Sequence, residues 1–173
     1  MTKPKIIELK IAKDLRGNFK KLFDLNLKKK ISSRFDIHQI NISENIKKGT
    51  IRGMHGSKAK LGEAKLIYCL SGKLYDVLVD FNKSSNTFLK KFHFELDCYD
   101  EKLLYVPNGY LHGFQTLKNN TKIMYFHNNH YLPKLDVGLN PLDKNLNINW
   151  PLKISCISKK DLSLPNLRSN IYD

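Results

Sequence analysis

Apolar and polar positions alternate with a period of two along most of the central chain, which predicts strands joined by short turns. Residues 65–81, KLIYCLSGKLYDVLVDF, carry two β-rich runs hinged at Ser71-Gly72. In the second run Leu74, Asp76, Leu78 and Asp80 share one face, and Tyr75, Val77 and Val79 share the other. TFLKKFHFELD (87–97) predicts a further strand, with Phe88, Phe92, Phe94 and Leu96 as its apolar positions. KLLYVPNGYLHGFQTL (102–117) reads as strand, turn, strand, and TKIMYFHNNHYL (121–132) follows the turn residues KNN. Helical spacing is confined to 22–30 and 159–163. Short strands at this spacing predict an all-β sandwich or jelly roll with short peripheral helices, in one domain covering 1–173.

Two histidines stand out against this frame. Pro107 and Gly109 fit a tight turn that delivers His112 onto the next strand, where alternate side chains face the interior. His55 lies in RGMHGSKAKLGEAKL (52–66), just ahead of a β run. Neighbouring cations disfavour its protonated form, so it is expected to be neutral and able to accept a proton. Taken alone, that stretch reads as a solvated basic loop. With Lys65 and Tyr125 on neighbouring strands, the two histidines form a candidate polar cluster at the open end of a jelly roll.

Composition narrows the classes. The chain has 173 residues and a formal net charge of +14. Its lysines fall in short scattered clusters, without a zinc-finger, helix-turn-helix or RNP pattern, so an anionic small ligand is favoured over nucleic acid. Its three cysteines, Cys69, Cys98 and Cys156, are widely spaced and suit reduced thiols. There is neither a long apolar run nor a signal-like start, so a cytoplasmic protein without membrane association is expected.

The order of motifs resembles the dTDP-4-dehydrorhamnose 3,5-epimerases, nucleotide-sugar epimerases of the cupin superfamily. DLRGNF, HQINIS, IRGMH, AKLIYCLSGKLYDVLVD, LYVPNGYLHGF, IMYFHNNHYLP, INWP and SKKDLSLP carry the resemblance over nearly the whole chain. It implies a cupin-type jelly-roll homodimer that uses no metal or other cofactor and acts on a nucleotide-diphosphate 4-keto sugar, for surface polysaccharide. Carried over position by position, it makes His55 the catalytic base, Asp161 the carboxylate paired with it and Tyr125 the acid. Substrate contacts fall on Arg16, Gln39, Asn41, Arg52, Lys65, His112, Asp136 and Lys160, and Tyr131 takes the place of the aromatic that stacks on the nucleotide base.

That set suits the chemistry. A C–H beside a ketone is acidic because its conjugate base is an enolate, so removal requires a placed base and donors for the oxygen. His55 oriented by Asp161 supplies the base, and Lys65, with His112, supplies donors. A phenol is protonated at neutral pH, which fits Tyr125 to return the proton to the opposite face. Arg52 and Arg16 suit bidentate contacts to a diphosphate.

Inversion at C3 alone and ketoisomerisation of a similar sugar would use the same groups. A metal-dependent cupin is a further alternative, since PNGYLH matches half of the metal-binding motif, but His55 and His112, with only a distant Glu63, lack a firm third ligand. A non-catalytic sugar-binding module would not need His55, Asp161 and Tyr125 together. Lys21, Gly56, Ser57 and His130 depart from the family pattern. Small residues after the base, with Lys21 as an added donor, predict a larger sugar, such as a 4-keto heptose carried on guanosine diphosphate.

Overall fold

In a computed structural model, which describes residues 3–32, 35–57 and 62–167, the central strands are covered on both faces. This explains why KLIYCLS and KLYDVLVD carry so many apolar residues beyond strict alternation. Two five-stranded antiparallel sheets pack face to face. The first has the order β1 (Lys5–Glu8), β9 (Lys102–Val106), β6 (Lys65–Ser71), β11 (Thr121–His127) and β4 (Gln39–Asn45). The second runs β12 (Asp136–Gly138), β5 (Ile51–Ser57), β10 (Tyr110–Thr116), β7 (Lys73–Asp80) and β8 (Lys91–Asp97). A separate hairpin pairs β2 (Ile11–Asp14) with β3 (Gly17–Lys20). The expected all-β sandwich is what the chain forms.

Three apolar layers hold it. Ile67, Leu74, Leu78, Leu104, Phe114 and Ile123 fill the space between the sheets. On the outer face of the first sheet, Leu66, Tyr68, Leu103 and Phe126 pack under Leu27 and Ile31 of α1 (Leu25–Ile31) and against Phe35. On the outer face of the second, Met54, Val77, Val79 and Leu111 lie beneath Leu139, Leu146 and Leu167 of the returning chain. Asp24 caps α1 by accepting from the Leu27 N–H, and burial of Leu27 and Ile31 anchors this otherwise marginal seven-residue helix.

Several boundaries differ from the sequence reading. The strand expected from residue 87 begins at Lys91, because Ser85 and Thr87 turn inward to hydrogen-bond the buried Asp80 and Leu89 takes a left-handed φ of 63°. The strand expected to reach 132 ends at His127. His55 lies within a strand instead of preceding one, since RGMHGS is β5, paired with both β10 and β12. The hinge falls where expected, with Gly72 at φ 77°, and Gly109 turns the chain at φ 88°.

Candidate active site

Along the strands at one end of the sandwich, interior positions change from apolar to polar. On β11 the inward series is Ile123, Tyr125, His127; on β6 it is Cys69, Ile67, Lys65. Across the gap His55 and His112 are register partners on β5 and β10. The space they enclose has two connected parts. An outer chamber of about 420 Å³ is lined by Gln39, Ser57, His130, Tyr131, Asp136 and Lys160, among others. An inner chamber of about 260 Å³ is lined by Arg52, His112, Phe114 and Tyr125, among others. Asn41, His55, Lys65 and His127 border both.

His55 Nε2 lies 2.8 Å from Asp161 Oδ1. With Nε2–H donating to that carboxylate, Nδ1 is left as the basic nitrogen. Asp161 is itself fixed from two directions. The Gly53 N–H donates to its Oδ2 at 3.3 Å, and its own N–H donates to Ser158 Oγ at 2.9 Å, the cap of the short helix α2 (Lys159–Leu162). The close approach of β5 to β10 requires glycine at 53: its φ is 121°, and a Cβ there would fall 2.8 Å from the His112 carbonyl oxygen.

Behind His112 stands Asp76, its Oδ1 2.6 Å from His112 Nε2, with both side chains buried. Burial pushes the Asp76 carboxyl up and the His112 imidazole down, each partly offset by the other. Tyr125 faces His112, their ring centroids 6.2 Å apart. Burial first, then the Asp76 charge, raises its phenol above the ordinary value, with Arg52 pulling the other way. Tyr125 therefore stays protonated throughout the neutral range and is suited to donate.

Most of the residues expected from the sequence come together here. Gln39, Asn41, Lys65, Tyr131, Asp136 and Lys160 share the outer chamber with His55, while Arg52, His112 and Tyr125 line the inner one. Tyr131 donates to Asp136 Oδ2 at 3.3 Å, and Lys160 Nζ is 3.7 Å from the same oxygen. Arg16 is the exception. It projects from the β2–β3 hairpin, exposed and paired with Asp14, and lines neither chamber of its own chain.

Two ideas about pocket size need correction. A Cβ at Gly56 would meet the Tyr110 carbonyl oxygen at 2.8 Å and Leu111 Cδ2 at 2.9 Å, so a side chain there would press on β10 instead of filling the chamber. Gly56 borders the outer chamber through its backbone, and Ser57 is the small side chain on the same face as the base. Within its own chain Lys21 lines neither chamber and lies in a separate groove beside α1, with its Nζ 3.4 Å from Asp24.

The sequence reading missed the supporting groups Asp76, His127 and Ser158, and met Glu63 only as a distant candidate ligand of the metal-cupin alternative. Asp76 had a signal, as an acid on the Leu74–Leu78 face, and Ser158 with Asp161 forms the S-x-x-D pattern of a helix start. Glu63 Oε1 lies 2.6 Å from His127 Nδ1, off the ring N–H axis, and Oε2 is 3.5 Å from Lys65 Nζ. Burial alone would raise the Glu63 carboxyl, but His127 and the Lys65 charge outweigh it and hold the group below its ordinary value. Among the described residues, no group of three or more His, Cys, Asp or Glu side chains is arranged to hold a metal, and no helix is long and apolar enough to cross a membrane.

The sequence profile of the dTDP-4-dehydrorhamnose 3,5-epimerases matches residues 2–169. The enzyme of that name from Shigella flexneri is 33% identical over 159 residues, 91% of this chain and 87% of its own length. The crystal structure of the Bacillus anthracis dTDP-4-dehydrorhamnose 3,5-epimerase, with TDP and pyrophosphate bound, superposes with a TM-score of 0.89 at 35% identity, covering 95% of this chain and 94% of that one. ChmJ of Streptomyces bikiniensis, a 3'-monoepimerase solved with dTDP-quinovose, superposes at 0.87 with 27% identity, covering 94% of this chain and 83% of its own. With the fold and the sequence in agreement, the chain belongs to the dTDP-4-dehydrorhamnose 3,5-epimerase family and is an isomerase, an epimerase of nucleotide-linked 4-keto sugars.

Proposed function

We propose that the chain inverts C3, or C3 and C5, of a dTDP-linked 4-keto-6-deoxyhexose, with His55 as base and Tyr125 as acid. The observation that carries this reading is the placement of the two groups: His55, paired to Asp161, is on one sheet and Tyr125 is on the other, with the cavity between them. Nδ1 of His55 takes the proton from the carbon beside the ketone. Asp161 stabilises the imidazolium that results, and Lys65 Nζ offers charge to the enolate oxygen. Tyr125 then delivers a proton to the other face, and the configuration inverts. Arg52 is placed to meet the diphosphate from the inner chamber, and Tyr131 to meet the base from the outer one.

The nucleotide is assigned from the relatives, which are named for dTDP sugars. The corrected position of Gly56 removes half of the argument for a larger sugar. The test is incubation in deuterated water with dTDP- and GDP-linked 4-keto hexoses and heptoses, followed by proton NMR. Turnover of the dTDP-linked deoxyhexose is expected, with one deuteron for C3 inversion or two for C3 and C5. Selective turnover of a GDP-linked heptose would overturn the assignment.

A homodimer accounts for Arg16. The hairpin that carries it exposes Leu15 and Phe19, and the edge strand β4 exposes Ile40 and Ile42. Docking of the hairpin on a second copy would bring Arg16 to that copy's cavity. Mixing Arg16→Ala with His55→Asn after subunit exchange should then restore activity that neither variant has alone. Absence of recovery in proven mixed dimers would contradict this arrangement.

A further inference from the structure

One carboxylate in the cavity wall has no part in the chemistry described so far. Glu63 precedes β6, and its neighbour Ala64 is pinned to the end of β11: the Ala64 N–H donates to Asn128 Oδ1 at 2.7 Å, and the Asn128 N–H to the Ala64 carbonyl at 3.1 Å. An acid here faces a site that must accept an anionic nucleotide, so its presence has a Coulombic cost unless a cation neutralises it. Lys65 lies beside one carboxylate oxygen, and the His127 ring meets the other. His127 is in turn approached by Asn41, whose Nδ2 is 3.3 Å from Nε2, and Asn41 accepts from Gln39 Nε2 at 3.0 Å. The result is a chain of polar side chains across β4, β11 and β6 that ends at the Lys65 ammonium.

We infer that Glu63 is a positioning residue for Lys65, holding its ammonium where the enolate oxygen develops, with His127 as the strut that fixes the carboxylate. The inference rests on the epimerase reading above. A free lysine carries four rotatable bonds and loses considerable entropy when it is held at one point. A carboxylate anchored by the backbone at Ala64 and by His127 removes part of that cost before substrate arrives, so the donor is preorganised. The benefit appears in the transition state, where the oxygen carries charge, and much less in ground-state binding.

The test uses the full-length protein and the dTDP-linked 4-keto-6-deoxyhexose, following deuterium uptake at C3. Glu63→Gln is expected to lower kcat about tenfold or more, with KM and the Kd for dTDP within about threefold of wild type. In a Lys65→Met background, Glu63→Gln should have no further effect, because the carboxylate acts through the lysine. An unchanged kcat in Glu63→Gln, or losses that multiply in the double variant, would overturn the inference. Should Glu63→Gln fail to fold, His127→Gln serves instead: a comparable fall in kcat supports the strut, and wild-type turnover overturns it. A wild-type protein without exchange would overturn the epimerase reading and this inference with it, whereas an active wild type with an indifferent Glu63 overturns only the inference.

Discussion

The two walls of the cavity are built on different principles. On the His55 wall, the functional pair is set by backbone: β5 is paired on both sides, the Gly53 N–H holds Asp161, and the Ser158 cap fixes the turn that presents it. On the Tyr125 wall, the half-buried phenol faces His112, and its neighbours Lys65 and His127 are held by side-chain contacts from Glu63 and Asn41. A base must stay aligned with one C–H bond, so rigid backbone support suits it. A wall of side-chain contacts can be altered residue by residue without disturbing the sheet. Under the proposed function, proton removal falls to the rigid wall, and charge stabilisation and proton return fall to the adjustable one.

The largest expected effect comes from breaking the rigid wall. His55→Asn should lower both exchange and epimerisation by about 10²–10⁴-fold while leaving a folded protein, as read by NMR turnover and thermal melting. Gly56→Phe comes next and separates fold from specificity. Forced against the Tyr110 carbonyl and Leu111, it should cost about 1–3 kcal/mol in denaturant unfolding. Ser57→Phe, facing the outer chamber, should raise KM with little loss of stability. Ser158→Ala removes a cap and should cost about 1 kcal/mol, with a modest loss of kcat as Asp161 loosens.

The smallest effect lies on the adjustable wall and depends on pH. The folded-state pKa of Glu63 is depressed, so its contribution to stability is present above the ordinary carboxyl value of 4.5 and is lost as pH falls through the lower folded value. Wild type should therefore exceed Glu63→Gln by under about 1 kcal/mol near pH 6, and the difference should vanish in acid, as followed by urea titration. A gap that widens on acidification would contradict the pairing with His127 and Lys65.

The two walls were not equally legible in the sequence. Strands β6, β7, β9, β10 and β11 announced themselves through alternation and turn residues, because their apolar positions bury against two layers. The hairpin β2–β3 and the edge strand β4 did not, since their side chains are largely exposed and polar and apolar positions mix. At the site, the resemblance singled out His55, Tyr125 and Asp161, whereas composition alone gave each a blander reading. Glu63 and His127 escaped because their meaning lies in a contact between positions 64 residues apart, with no local spacing to betray it. Gly56 misled for the opposite reason. Its position next to the base suggested the pocket, but successive strand residues face opposite sides, and Gly56 shares the Met54 side.

The division of labour between the walls is tested most directly with Tyr125→Phe in deuterated water, reading isotope and configuration in the same NMR sample. With His55 intact and the acid removed, the account predicts that deuterium still enters the substrate at C3 with retention while inverted product falls by about 10²-fold or more. Inversion at the wild-type rate, or loss of exchange as complete as that in His55→Asn, would contradict it.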